Sequence, residues 1–125
     1  MHGTKLKRVL VIDDDRQFVE STRILLESHG YEVLTAQDGS EGLARAESVS
    51  PDLIVLDVMM PRRSGFCVLD KLSIGGKIRP RIVMVTASDE GRQQEIALMK
   101  GADVFMCKPF EPRDLLTAVA RLLNA

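Results

Sequence analysis

The chain alternates five times between a short apolar run and a longer segment whose apolar residues fall at helical spacing, and few folds accept that pattern. The runs are Val9-Leu10-Val11-Ile12, residues 31–35, Leu53-Ile54-Val55-Leu56, Ile82-Val83-Met84-Val85 and Val104-Phe105-Met106-Cys107. The first, third and fourth are apolar at every position, as expected of parallel strands covered on both faces. The second carries Glu32 and Thr35 and reads as an edge strand.

The intervening segments read as helices. Phe18, Thr22, Leu25 and Leu26 fall at i, i+4, i+7 and i+8, after Asp15 as N-cap and before Gly30. Leu43, Ala46 and Val49 predict a shorter helix ended by Pro51 and loosened by Gly42, a poor helix former. A third runs from Gly65 through Val68, Leu69 and Leu72 to a break at Gly75 and Gly76. A fourth starts near Ser88, carries Ile96 and Met99, and meets its terminal glycine at Gly101. In the fifth, Pro112 suits the first helical position, Leu115, Val119 and Leu122 form the buried stripe, and Phe110 staples back onto Leu115. Crossovers between parallel strands are right-handed and helices must cover both faces. The expectation is a single-domain α/β fold: a doubly wound, flavodoxin-like (βα)5 sandwich with a five-stranded parallel sheet in the order 2-1-3-4-5.

Composition narrows the function classes. At 125 residues there is room for one domain with one core and none for a second, output domain. Seventeen Lys plus Arg stand against 18 Asp plus Glu, a net charge of −1, which argues against direct binding of nucleic acid or an anionic membrane. Cys67 and Cys107 have no metal spacing and sit in apolar stretches, so they read as reduced core thiols. The apolar runs are too short for a signal peptide or a membrane span, and a cytoplasmic location is expected.

In doubly wound sheets the site lies at the carboxyl ends of the strands, where the strand order reverses. Asp13, Asp14 and Asp15 follow the first run, Asp57 the third, Thr86 the fourth, and Lys108 with Pro109 the fifth. With the second strand at the edge, the first and third are neighbours, and Asp13, Asp14 and Asp57 meet. Carboxylates this close repel unless a cation joins them. Oxygen donors without His or Cys suit Mg²⁺, with Mn²⁺ as an alternative. A lysine and a hydroxyl across the same pocket are what phosphoryl oxygens need. Thr86 alone reads equally as a turn residue and Lys108 alone as a solvated charge; it is their joint placement that decides. No Gly-rich phosphate loop is present, which argues against a nucleotide as the anchored donor; the expected covalent acceptor is then one of the carboxylates, since an aspartate can form an acyl phosphate.

These residues resemble the receiver domain of bacterial two-component response regulators, and the chemotaxis response regulator in particular, over essentially the whole chain. The matching stretches are Val9 to Asp15, Leu56-Asp57-Val58-Met59-Met60-Pro61 with Gly65, Val85-Thr86-Ala87, Gly101-Ala102-Asp103 and Lys108-Pro109-Phe110. The resemblance implies that Asp57 accepts a phosphoryl group from a phosphohistidine on a histidine kinase or histidine phosphotransfer domain. It implies that Asp14, Asp57 and the Met59 backbone carbonyl ligate Mg²⁺, and that Asp13 acts mainly through a bound water. Lys108 then pairs with the phosphoryl group, and the Lys108–Pro109 bond is cis. Thr86 and Phe105 form the switch that alters the face of the fourth helix, fifth strand and fifth helix. That face serves an output protein, a linked output domain or a homodimer. The domain is then no enzyme; it catalyses only its own phosphorylation and dephosphorylation.

Several positions bear on this reading. Asp15 reads better as a helix cap than as a ligand. Arg62 and Arg63 stand where relatives more often place an apolar second residue. Met59 and Ser88 occupy positions that tune water access, and the apolar chain of Met59 should hinder it. Phe105 lacks a hydroxyl, so a switch there works by packing. Between Ser88 and Ala125, five Lys plus Arg and six Asp plus Glu leave the output face neither basic nor acidic. Rival readings are a Mg²⁺-dependent phosphohydrolase of haloacid dehalogenase type, using Asp13 and Asp15, a toprim-like nuclease domain, and a pseudo-receiver that binds partners without phosphorylation.

Overall fold

Strand and helix alternate along the chain: β1 (Arg8–Ile12), α1 (Arg16–Glu27), β2 (Glu32–Ala36), α2 (Gly39–Val49), β3 (Leu53–Asp57), α3 (Gly65–Ile74), β4 (Arg81–Thr86), α4 (Gly91–Met99), β5 (Val104–Cys107) and α5 (Pro112–Asn124). The computed structural model describes residues 6–60, 63–74, 79–87 and 91–124. The five strands pair in parallel in the order β2-β1-β3-β4-β5, as the apolar pattern predicts.

Alternate strand residues feed two core layers, which explains why β1, β3 and β4 are apolar throughout. Leu10, Ile12, Ile54, Leu56, Ile82 and Met84 pack with Ala46 of α2, Val68 and Leu69 of α3 and Ala97 of α4. Val9, Val11, Leu53, Val55, Val83 and Val85 pack on the opposite face with Leu26 of α1 and Leu115 and Val119 of α5. Each fully buried Val, Leu, Ile or Met among them contributes at most about 1.5–3 kcal/mol.

Local chemistry sets the element ends. The Asp15 carboxylate accepts from the backbone N–H groups of Gln17 and Phe18, which fixes the start of α1. Gly30, at φ 91°, turns the chain out of that helix. The second strand begins one residue later than predicted because the Tyr31 N–H is spent on the Leu26 carbonyl, closing α1, so the ladder opens at Arg8 and Glu32. Asp38 accepts from the Glu41 N–H, while Glu41 reaches back to the Gln37 N–H. The predicted helix start at Ser88 and the break at Gly75 and Gly76 lie outside the described residues. Cys67 and Cys107 are half-buried thiols.

Gly42, expected to loosen α2, lies inside a helix that runs unbroken from Gly39 to Val49. It is buried, and a Cβ there would lie 2.5 Å from Cδ1 of Ile12. Glycine lets α2 lie close against β1, and this packing outweighs the helix-propensity penalty. Gly42→Ala should therefore lose stability rather than gain it. Overpacking of about 1–3 kcal/mol exceeds the ~1 kcal/mol of propensity recovered, and a urea midpoint above wild type would refute this.

Candidate functional site

β1 and β3 lie side by side at the centre of the sheet, and the chain leaves them in opposite directions, so their carboxyl ends flank an open crevice. Asp13 follows β1 directly and Asp57 is the last residue of β3. Asp13 is 1% exposed and Asp57 5%, whereas Asp14 is exposed. One carboxylate oxygen from each of the three lies within 4.8 Å of the others. Asp13 is further held by the Asp15 N–H, which donates to its Oδ1 at 2.9 Å.

Two like charges beside a buried carboxylate have a measurable consequence. Burial pushes the Asp57 carboxyl up to about 7, and the Asp13 carboxylate reinforces the rise. The Lys108 ammonium and the Met59 N–H, which donates to Asp57 Oδ1 at 3.4 Å, pull it back, and Asp14 adds a smaller upward push. Three carboxylates, two of them buried and repelling, form a hard-oxygen donor set that fits a divalent cation such as Mg²⁺.

The loop after β3 packs closely against the backbone of Asp57. The Gly65 N–H donates to the Val58 carbonyl at 2.9 Å, and a methyl group on Gly65 would run into the Asp57 carbonyl oxygen. Across the crevice, the Lys108–Pro109 bond is cis, as expected. The Lys108 ammonium donates to Asp13 Oδ2 at 2.6 Å with its side chain 18% exposed. Its backbone N–H donates to the Thr86 carbonyl at 2.7 Å, tying the ends of β4 and β5.

Thr86 is fully buried at the end of β4, one position beyond Val85, the partner of Asp57 in the ladder. Its hydroxyl lies 3.4 Å from Oε1 of Gln93 on α4. Phe105 pairs with Met84 in the sheet and packs, half-buried, against the α2–α4 layer. Asp13, Asp14, Asp57, Lys108 and Thr86 thus reach one edge of the sheet. Phe105 lies further back along β5, and the Met59 side chain is 60% exposed. Arg63 is half-buried, its stem close to Gly39 at the start of α2; Arg62 and Ser88 lie outside the described residues.

Two residues at the site had no distinguishing signal in the sequence. Phe18 begins the apolar stripe of α1 and looks like any core residue, yet its ring centroid lies 4.0 Å from the Lys108 nitrogen. Gln93 looks like a solvated helix residue, yet it meets the Thr86 hydroxyl and lies 4.0 Å from the Met59 sulfur.

Residues 9–120 match the response regulator receiver domain family. The chain belongs to that family. It is 44% identical over 118 residues to the alkaline phosphatase synthesis transcriptional regulatory protein PhoP of Bacillus subtilis, covering 94% of this chain and 49% of that protein. It is likewise 44% identical to the response regulator MprA of Mycolicibacterium vanbaalenii, covering 94% of this chain and 50% of the relative. The receiver domain thus spans about half the length of the curated relatives it matches. Among solved structures, the CheY-like receiver domain protein of Methanospirillum hungatei superposes with a TM-score of 0.89 at 35% identity, over 96% of this chain and 95% of the other. The chemotaxis response regulator CheY4 of Vibrio cholerae gives 0.87 at 32% identity, over 95% and 100%.

This receiver domain is a signalling domain of two-component systems. Nothing supports the phosphohydrolase reading, and its required second aspartate, Asp15, spends its carboxylate capping α1. Among the described residues no helix is long and apolar enough to cross a membrane.

Proposed function

We propose that Asp57 is the phosphoacceptor of this receiver, charged by a phosphohistidine on a sensor kinase or histidine phosphotransfer domain. The observation that carries the reading is the buried carboxylate of Asp57, clustered with those of Asp13 and Asp14 and close enough to Lys108 to feel its charge. A carboxylate oxygen of Asp57 attacks phosphorus; the P–O bond forms as the P–N bond breaks, and the departing imidazole nitrogen takes a proton from water. Asp13, Asp14, Asp57 and the Met59 carbonyl would hold Mg²⁺, with Asp13 acting largely through water. Bound there, the ion supplies positive charge against the carboxylates and the phosphoryl oxygens.

Lys108 pairs with one phosphoryl oxygen and the Thr86 hydroxyl donates to another, leaving Gln93. Movement of Thr86 makes room for Phe105 to repack, which changes the α4–β5–α5 face. That face then engages an output protein, an attached output domain or a second copy. The domain acts on no other substrate and catalyses only its own phosphorylation and its reversal, in the cytoplasm.

The test is intact mass after incubation with acetyl phosphate and Mg²⁺, with peptide mapping and an EDTA control. One alkali-labile phosphoryl adduct on the Asp57 peptide, absent with EDTA, is expected. An adduct elsewhere would overturn Asp57 as the acceptor, and none from acetyl phosphate, a panel of histidine kinases and BeF₃⁻ alike would leave the pseudo-receiver reading standing instead.

A further inference from the structure

Lys108 has two partners of different kinds. Its ammonium donates to Asp13 Oδ2 at 2.6 Å, and the same nitrogen lies 4.0 Å from the centroid of the Phe18 ring. Phe18 in turn meets Phe110 edge to face, with centroids 6.0 Å apart and planes at 87°. Phe110 follows Lys108 by two residues, and Phe18 is the third residue of α1. The Asp15 carboxylate that caps this helix accepts the Phe18 N–H at 3.2 Å. The cap that fixes where α1 begins therefore also holds the backbone of Phe18, and Phe110 packs edge-on against its ring.

The two partners respond differently when the site fills. Asp13 belongs to the carboxylate cluster that fits a divalent cation, and a carboxylate shared with a dication attracts an ammonium less strongly. The face of a phenyl ring has no such competitor, since its attraction for a cation comes from the ring quadrupole. A lysine that lost its only partner would swing into solvent on a flexible four-carbon stem. One lodged against a ring stays in the pocket.

We infer that Phe18 is a positioning residue for phosphoryl transfer in this receiver, its ring face retaining the Lys108 ammonium beside Asp57 when Asp13 turns toward the cation. The inference rests on the reading of Asp57 and Lys108 given above. It assigns to α1 a part in the chemistry that its place in the core stripe conceals.

The experiment compares wild type with Phe18→Leu, which removes the ring, and Phe18→Tyr, which keeps it. Two quantities are read: BeF₃⁻ affinity in Mg²⁺, and the chemical shifts of the Lys108 ε-methylene protons by NMR. Wild type should show those protons shifted upfield by the ring. Phe18→Leu should lose the shift and weaken BeF₃⁻ binding by about 3- to 10-fold, and Phe18→Tyr should restore both. A merely structural role would lower the thermal midpoint in Phe18→Leu without this pattern of ring-dependent rescue. Equal BeF₃⁻ affinity in wild type and Phe18→Leu overturns the inference, and so does an equal loss in Leu and Tyr variants. Should Phe18→Leu not fold, unshifted ε-protons in wild type overturn it on their own. Wild type that neither binds BeF₃⁻ nor takes a phosphoryl group overturns the receiver chemistry itself, a separate result.

Discussion

Asp57→Asn is expected to remove phosphorylation completely and, without divalent cation, to make the protein more stable. The two effects have one origin. The Asp57 carboxyl titrates near 3.8 when unfolded and is pushed up to about 7 when folded, chiefly by burial and then by Asp13. The folded state therefore binds the proton more tightly, and stability falls as pH rises from about 4 to about 7, then levels off. Above that window the folded protein carries a buried, repelled anion, at a cost on the order of 1–3 kcal/mol. Asparagine keeps the shape and discards the charge. At pH 8 in EDTA the thermal midpoint of the variant should exceed wild type by about 4–10 °C. Near pH 4 the gap should nearly close. Added Mg²⁺ should raise wild type more than the variant, because only wild type has the third carboxylate to neutralise. A variant melting at or below wild type at pH 8 without cation contradicts the electrostatic account of the site.

The same residues show what a sequence can and cannot disclose. Sheet order and the gathering of Asp13, Asp57, Thr86 and Lys108 were legible because they depend on strand ends, and strand ends are marked by an apolar run giving way to a polar residue. Asp15 was legible as a cap because it stands just before an amphipathic stripe. The packing role of Gly42 was not legible because helix propensity is a local property, while its use depends on how near Ile12 of a different element lies. Phe18 was hidden for the opposite reason: a stripe position says that a ring is buried and not what cation it meets. Gln93 is a polar residue on a helix, and only the packing of α4 against β4 brings it to Thr86. Residues whose role lies in their own type and position were readable; those whose role lies in a long-range side-chain contact were not.

Lys108→Met should be the variant that separates holding the site together from working it. The Asp13 carboxylate is 1% exposed and its ion pair with Lys108 spans 2.6 Å, so removing the ammonium leaves a buried anion with the Asp15 N–H as its remaining hydrogen bond among the described residues. Breaking a buried pair costs about 3–5 kcal/mol, but the crevice is open enough at Lys108 for water to enter, and a loss of about 1–3 kcal/mol is expected. The Asp57 carboxyl, which Lys108 holds down, should rise further. Mg²⁺ can replace the missing charge for the carboxylates, so urea midpoints in saturating Mg²⁺ should return close to wild type. It would not replace the donor that Lys108, in its proposed role, offers the phosphoryl group. The rate of phosphorylation by acetyl phosphate should therefore stay about 100-fold down even where stability is restored, the scale on which one preorganised donor acts. Lys108→Arg should recover stability without recovering rate, since a planar guanidinium carries the charge but places its donors differently. A Lys108→Met rate within threefold of wild type in Mg²⁺ would mean that the lysine only neutralises Asp13. A stability loss that Mg²⁺ leaves untouched would mean that the carboxylates do not hold the ion.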